Sequence, residues 1–208
     1  MTLQINHLAR LNGNNMVKIY VVDNGGQWTH REWRTLRDLG IETKIVQNII
    51  SFKTLIFENI DGLILSGGAP RIGLDGTLGN CAEFLEKANF PILGICAGHQ
   101  FMARFFGGEV KPSRMPEFGK IELNLLKEND TLFEDVPKKS IVWESHNDEV
   151  TIIPDSFDLL AESDNCKIQA MKYKKKPFYG LQFHPEVEHT EYGKQIFKNF
   201  RKICEKKS

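Results

Sequence analysis

Four strand-like runs, at residues 17–22, 41–46, 61–65 and 91–95, punctuate the first half of the chain and decide what it can fold into. The first is an apolar run with β-branched residues, the pattern of a strand buried on both faces. It stops at Asp23, and Asn24-Gly25-Gly26 marks a turn. From Thr29 onward Trp33, Leu36 and Leu39 recur at helical spacing, with Gly40 as the stop. Ala82, Leu85 and Ala88 predict a helix between the third and fourth runs. Strands alternating with helices in this way predict an α/β domain on a parallel sheet. After about Gly107 the rhythm changes. Residues 121–126, 140–143, 157–161, 168–173 and 178–183 read as short strands joined by turns, which predicts added antiparallel strands on the same domain. A last amphipathic helix carries Ile196, Phe197, Phe200 and Ile203.

A length of 208 residues suits one domain, and the chain shows neither an internal repeat nor a low-complexity linker. The expected division is an N-terminal extension at 1–15, poorly ordered, and one domain at 16–208, with Met16 as a natural start. Lys plus Arg equals Asp plus Glu at 27 each, so the basic surplus of a nucleic-acid binder is missing. No apolar run reaches the ~20 residues of a membrane helix. Residues 1–15 have no sustained hydrophobic centre, so they do not read as a signal peptide. Cys81, Cys96, Cys166 and Cys204 lie far apart and form no CxxC pair, which fits free thiols in a reducing cytoplasm.

The sharpest local feature is Gly94-Ile95-Cys96-Ala97-Gly98-His99-Gln100, where a strand hands over to a helix. A nucleophile on such a turn needs small neighbours, and glycines two residues before and after Cys96 supply them. The helix starting at Ala97 aims its amides at the thiol, favouring thiolate, and the Ala97 amide would help bind an oxyanion. A lone cysteine would be better read as a buried structural thiol; the flanking glycines reverse that. The base is sought in His184-Pro185-Glu186, after the strand at 178–183. Residues two apart in an extended segment point to one side, so Glu186 would lie beside His184, fixing its tautomer and stabilising the imidazolium. His184, Glu186, Glu188 and His189 also cluster, but ligands so closely spaced in a turn rarely converge on one ion, and no metal is expected. Ser66-Gly67-Gly68-Ala69-Pro70, after the third strand, would bring further backbone amides to an oxyanion. It is no phosphate loop, because no Lys-Ser or Lys-Thr pair follows. His30, His99 and His146 are given satisfied structural or surface roles.

Taken jointly, these three motifs resemble the class I (triad) glutamine amidotransferases in order and spacing, from Val17 to about Cys204. The resemblance implies a mixed, mainly parallel central sheet flanked by helices. It makes Cys96, His184 and Glu186 the catalytic triad, and Gly68 and Ala97 the oxyanion amides. Gln100, Ser145, Asn147 and Asp148 fall where that family holds glutamine, partly through backbone atoms. Val22-Asp23-Asn24-Gly25-Gly26-Gln27, Ser145-His146-Asn147-Asp148-Glu149-Val150 and His184-Pro185-Glu186-Val187-Glu188-His189-Thr190 resemble the GMP synthase branch, in the separate-subunit arrangement of archaea. The resemblance then implies a partner, an ATP-pyrophosphatase subunit that uses ATP and magnesium on xanthosine monophosphate (XMP), and no cofactor in this chain. Ala97 departs from the family pattern, being smaller than the usual residue after the nucleophile. The rival readings are an amidotransferase subunit for another acceptor such as chorismate, a cysteine hydrolase on the same scaffold, and a non-catalytic binding subunit. The last would be expected to have lost a triad member, and none is lost.

Overall fold

The computed structural model describes residues 16–206. The expectation for residues 1–15 therefore lies outside the described residues. The elements in chain order are β1 Ile19–Asn24, α1 Thr29–Asp38, β2 Ile45–Gln47, α2 Phe52–Phe57, β3 Gly62–Gly68, α3 Cys81–Lys87, β4 Ile92–Ile95 and α4 Ala97–Phe105. Then follow β5 Glu109–Leu125, β6 Lys139–Ile152, β7 Phe157–Glu162, β8 Ala170–Tyr173, β9 Phe178–Leu181 and α5 Gly193–Glu205. All nine strands join one sheet in the order β2-β1-β3-β4-β9-β8-β7-β5-β6. From β2 to β9 the neighbours are parallel; from β9 through β8, β7 and β5 to β6 they are antiparallel. The fold is thus α/β with a mixed sheet, as the sequence predicts.

The parallel half is covered on both faces because its strands are apolar at both parities. In β1, Ile19 and Val21 join one apolar layer with Leu36 of α1 and Phe197 and Phe200 of α5. Tyr20 and Val22, pointing the other way, join Leu55 of α2, Phe84 of α3 and Met102 of α4. By contrast β6 alternates buried and accessible residues, the signature of a strand with one covered face.

Several elements differ from the sequence reading. The second strand is only Ile45–Gln47, because residues 41–44 at the sheet edge attach through a single bridge, Lys18 to Glu42. Helix α2 escapes periodicity analysis at six residues; it is fixed by its cap, Ser51 accepting the Thr54 amide at 3.1 Å. The runs near 121–126 and 140–143 belong to two long antiparallel strands, β5 and β6. Pro112 and Gly119 lie inside β5: the register shifts between Pro112 and Glu117, and Gly119 takes φ 98°. Strand β9 ends at Leu181, short of the predicted Phe183.

For function the topology matters in one respect. Strands β1, β3, β4 and β9 run in one direction and release the chain at one end of the sheet. There they deliver the loops at Gly25–Trp28 and Ala69, together with Cys96 and His184. Among the described residues no helix is long and apolar enough to cross a membrane.

Candidate active site

Cys96 occupies the N-cap of α4 with φ 49° and ψ −106°, a conformation that side-chain-bearing residues seldom adopt. The surroundings hold it there. Its amide donates to the Leu181 carbonyl at 2.7 Å, and its carbonyl accepts the first helical bond, from the Gln100 amide at 3.0 Å. A Cβ on Gly94 would come within 2.7 Å of the Gly98 backbone, and one on Gly98 would collide with the Leu65 carbonyl. The sharp turn is therefore open only to glycine on either side of the thiol, as the motif predicts. Free amides at the start of α4 leave the positive end of the helix beside the sulfur.

The other cysteines lack this setting. Burial pushes the Cys81 thiol up to about 12 and holds those of Cys166 and Cys204 well above their ordinary value.

His184 and Glu186 meet as expected, with Nδ1 to Oε1 at 2.6 Å, but not for the expected reason. The segment after β9 is a turn, not an extended strand. Strand β6 and Thr190 hold it in place. The His184 amide donates to the Trp143 carbonyl at 2.9 Å, and the Thr190 hydroxyl bridges, donating to the His184 carbonyl at 2.7 Å and accepting the Trp143 amide at 3.0 Å. Trp28 sets its ring edge-on to the imidazole, centroids 4.4 Å apart. Burial alone would depress the basicity of His184. The Glu186 charge and the hydrogen bond to Glu186, with Cys96 close by, overcome it and raise His184 well above the usual histidine range. Glu188 and His189 are exposed and His189 faces Trp143, so the four acidic and histidine residues of this turn do not converge on one point.

Cys96 lies where two cavities meet. One, of about 110 Å³, is lined by Gly68, Ala97, Gln100, Ser145, Asn147 and Asp148, with Arg71 at its edge. All the residues predicted for the oxyanion and for glutamine thus line this pocket, and Gly68 and Ser145 border the second cavity as well. The other cavity, of about 280 Å³, contains His184, Glu186, Trp28 and Glu32. The Sγ lies 3.9 Å from the Ser145 carbonyl.

Two of the predicted ligand-holding side chains are already engaged. Gln100 is buried and its Nε2 donates to the Asp148 carbonyl at 2.6 Å and to Gln182 Oε1 at 3.0 Å. The Asp148 carboxylate is clamped by Arg71, Nε to both oxygens at 2.9 and 3.0 Å, and by the Gly73 amide at 3.0 Å. These two residues shape the pocket from behind, whereas Asn147 is exposed at its rim. Arg71 carries no sequence signal: it reaches a partner 77 positions away. Glu32 had a signal, since a charge at the spacing of Thr29 and Leu36 falls on the buried face of α1.

Behind the pocket, His146 is buried in β6, Nε2 3.1 Å from Glu117 Oε2 and Nδ1 3.0 Å from the Asp148 carbonyl. Glu117, His146 and Cys166 lie close enough to hold an ion, but Glu117 also accepts from Ser163 at 2.8 Å and Gln169 at 2.8 Å. The cluster is satisfied by its own hydrogen bonds. His99 is buried in α4, and desolvation lowers it to about 3, which keeps it neutral.

The chain matches the family described as class-I glutamine amidotransferase over residues 20–203. It is 51% identical over 190 residues to a glutamine-hydrolysing GMP synthase subunit of Thermoplasma acidophilum, covering 91% of this chain and 94% of that one. To the corresponding GMP synthase subunit of Pyrococcus furiosus it is 50% identical over 189 residues, covering 89% and 98%. A crystal structure of a T. acidophilum protein described as a GMP synthase subunit superposes with a TM-score of 0.87 at 51% identity, over 93% of this chain and 96% of that one. A glutamine amidotransferase from Thermotoga maritima shares the fold at 20% identity, TM-score 0.67, over 92% and 90%. With its cysteine on a strained strand-to-helix turn, its histidine–glutamate pair and this relatedness, the chain belongs to the class-I glutamine amidotransferase family, in the branch of the glutamine-hydrolysing GMP synthase subunits.

Proposed function

We propose that this chain is the amidotransferase subunit of a GMP synthase, and that residues 16–208 act as one amidotransferase domain in the cytoplasm. The observation that carries the reading is the convergence of Cys96, on its strained helix N-cap, with the His184–Glu186 pair beside one pocket. In this reading thiolate Cys96 attacks the side-chain amide carbon of glutamine, whose oxyanion is received by the amides of Gly68 and Ala97. His184 donates its proton to the departing ammonia, leaving a glutamyl thioester on Cys96. His184 then takes a proton from water, whose oxygen attacks the thioester carbonyl; the C–S bond breaks and glutamate leaves. Glu186 holds the imidazole in its tautomer and stabilises its charged form. The Ser145 carbonyl, the Asn147 backbone and the walls built by Gln100 and Asp148 position the substrate.

The ammonia is used by a separate ATP-pyrophosphatase subunit, which activates XMP with ATP and magnesium and forms GMP. This chain is assigned no cofactor, no metal and no nucleic-acid partner of its own. The test is reconstitution with that synthetase. Glutamine-dependent GMP formation is expected, and Cys96→Ala should abolish it while leaving synthesis from added ammonium chloride intact. A complex that forms GMP from ammonium but never from glutamine would overturn the reading.

A further inference from the structure

Glu32 lies on α1 at the wall of the catalytic cavity, and the steps above give it no task. It is 1% exposed, lines the 280 Å³ cavity with His184 and Glu186, and its Oε2 is sealed from solvent without a hydrogen-bond partner. Glu186 is in the same condition on its far side. Its Oε1 is taken by His184, while Oε2 is buried and unpartnered. Two acceptor-only groups lining one cavity leave two buried oxygens without a donor, and like charges there oppose each other's ionisation. One proton removes both difficulties: it cancels one charge and turns one acceptor into a donor.

We propose that Glu32 is a positioning residue of the catalytic site, a neutral carboxylic acid that shares its proton with the free oxygen of Glu186 and so holds the Glu186–His184 pair in line with Cys96. The proposal rests on the amidotransferase reading for what the pair does. The groups facing Glu32 assign the proton to it. Burial pushes its carboxyl well above the usual range, and the Glu186 charge adds to that; His184 and the Gly67 amide pull the other way without prevailing, and Asp23, from the end of β1, adds a small upward push. Glu186 Oε1 is already bonded to His184 Nδ1 at 2.6 Å, which leaves Oε2 as the oxygen that faces that proton. The backbone of Gly67 also lies between Glu32 and the catalytic base. The amide of Gly67 faces its carboxyl, and a Cβ on Gly67 would stand 3.2 Å from His184 Cε1. Glu32 has no place in the 110 Å³ pocket on the other side of the thiol, so it should act on rate rather than on glutamine binding.

Two variants of the full chain in complex with the synthetase test this. Glu32→Leu keeps volume but has no proton to give. It should lower kcat for glutamine hydrolysis about tenfold or more while KM stays within roughly twofold. Glu32→Gln, a neutral donor of the same shape, should recover the rate to within about threefold of the natural protein. A second readout needs no turnover. Iodoacetamide alkylation of Cys96 against pH reports the thiolate–imidazolium pair, and Glu32→Gln should leave that profile in place because it replaces one neutral group with another. A wild-type rate in Glu32→Leu would show that Glu32 only fills space. A shift of the Glu32→Gln alkylation profile by more than roughly half a pH unit would show that Glu32 is an anion. Either result overturns the proposal. If Glu32→Leu fails to fold, Glu32→Gln and the alkylation profile still decide. If the natural complex hydrolyses no glutamine, the functional reading fails by itself, and alkylation still tests Glu32.

Discussion

His184 Nδ1 lies 2.6 Å from Glu186 Oε1 across a single proline, in a turn that β6 and Thr190 pin at both backbone ends. The imidazole is thereby fixed in orientation before any substrate arrives, which is what general-base work at a thiol needs. Glu186→Gln preserves shape but removes the charge that favours the imidazolium. We expect glutaminase kcat to fall by ~100-fold or more, with the fold intact by circular dichroism. Combined with His184→Ala the losses should not add, since the two residues act as a unit. Steady-state kinetics of the three variants checks this, and full additivity would separate the pair.

A glutamine-analogue affinity label should attach to Cys96 alone. Of the four cysteines, it is the one on a helix N-cap beside a histidine. Burial raises Cys81, Cys166 and Cys204, so their thiolate fraction at neutral pH is negligible. Peptide mapping of the labelled protein reads the outcome, and label on any of those three would contradict the assignment.

The parts of this site that were legible in the sequence are those written in a few adjacent residues. The Cys96 elbow and the His184–Glu186 pair each show as a local pattern, although β6 and Thr190 hold the turn that joins His184 to Glu186. Arg71 and Asp148 are different: neither residue means anything until the sheet places the loop after β3 against β6. Strands β5 and β6 were broken up for the opposite reason. A bulge between Pro112 and Glu117 and a positive φ at Gly119 let turn-forming residues stay inside a long ladder. Glu32 was readable in principle, as a charge on the apolar face of α1, but charged residues are usually placed on the solvent side.

Glu144 offers a test of stability rather than activity. Its carboxyl is fully buried in β6, neither oxygen has a hydrogen-bond partner, Oε2 lies 3.7 Å from His146 Nε2, and burial followed by the charge of Glu117 pushes it well above the ordinary carboxylate range near 4.5. In the folded chain it stays protonated where the unfolded chain has released the proton. The folded state then binds more protons, so this group lowers stability as pH rises from the unfolded value toward the folded one. Below that window it contributes nothing. Glu144→Gln removes the liability and presents an N–H to the unpartnered Oε1 of Gln169. We expect Tm to rise on the order of 5 °C at about pH 8 and to be unchanged near pH 4. Calorimetry at the two values decides, and an equal shift at both would mean that Glu144 is not held neutral.

The last prediction concerns control. An amidotransferase that hydrolysed glutamine without its synthetase would release ammonia away from the acceptor, so the isolated chain should be a poor glutaminase. The structure shows where a switch would act. The glycine-rich loop that follows Gly68 is not loose: Asp148 accepts Arg71 and the Gly73 amide, and Arg104 donates to the Ile72 carbonyl at 2.6 Å and to that of Gly76. Asp148 in turn is tied through its carbonyl to Gln100, on the helix that begins beside Cys96. A shift of this clamp would therefore be transmitted to the Gly68 amide and to the pocket wall together. A displacement on the order of 1 Å at an oxyanion donor costs about a hundredfold in rate. Arg71 is half exposed, so a docking partner can reach it directly. We expect turnover to rise by roughly tenfold or more only when synthetase and XMP are both present. Arg71→Ala, which leaves the buried Asp148 carboxylate short of a partner, should flatten that activation while leaving ammonium-dependent GMP synthesis unchanged. Glutaminase assays of the free chain, the binary complex and the complex with nucleotide measure each step. If the free chain already works at the full rate of the complex, the clamp is not a switch, although the triad would stand.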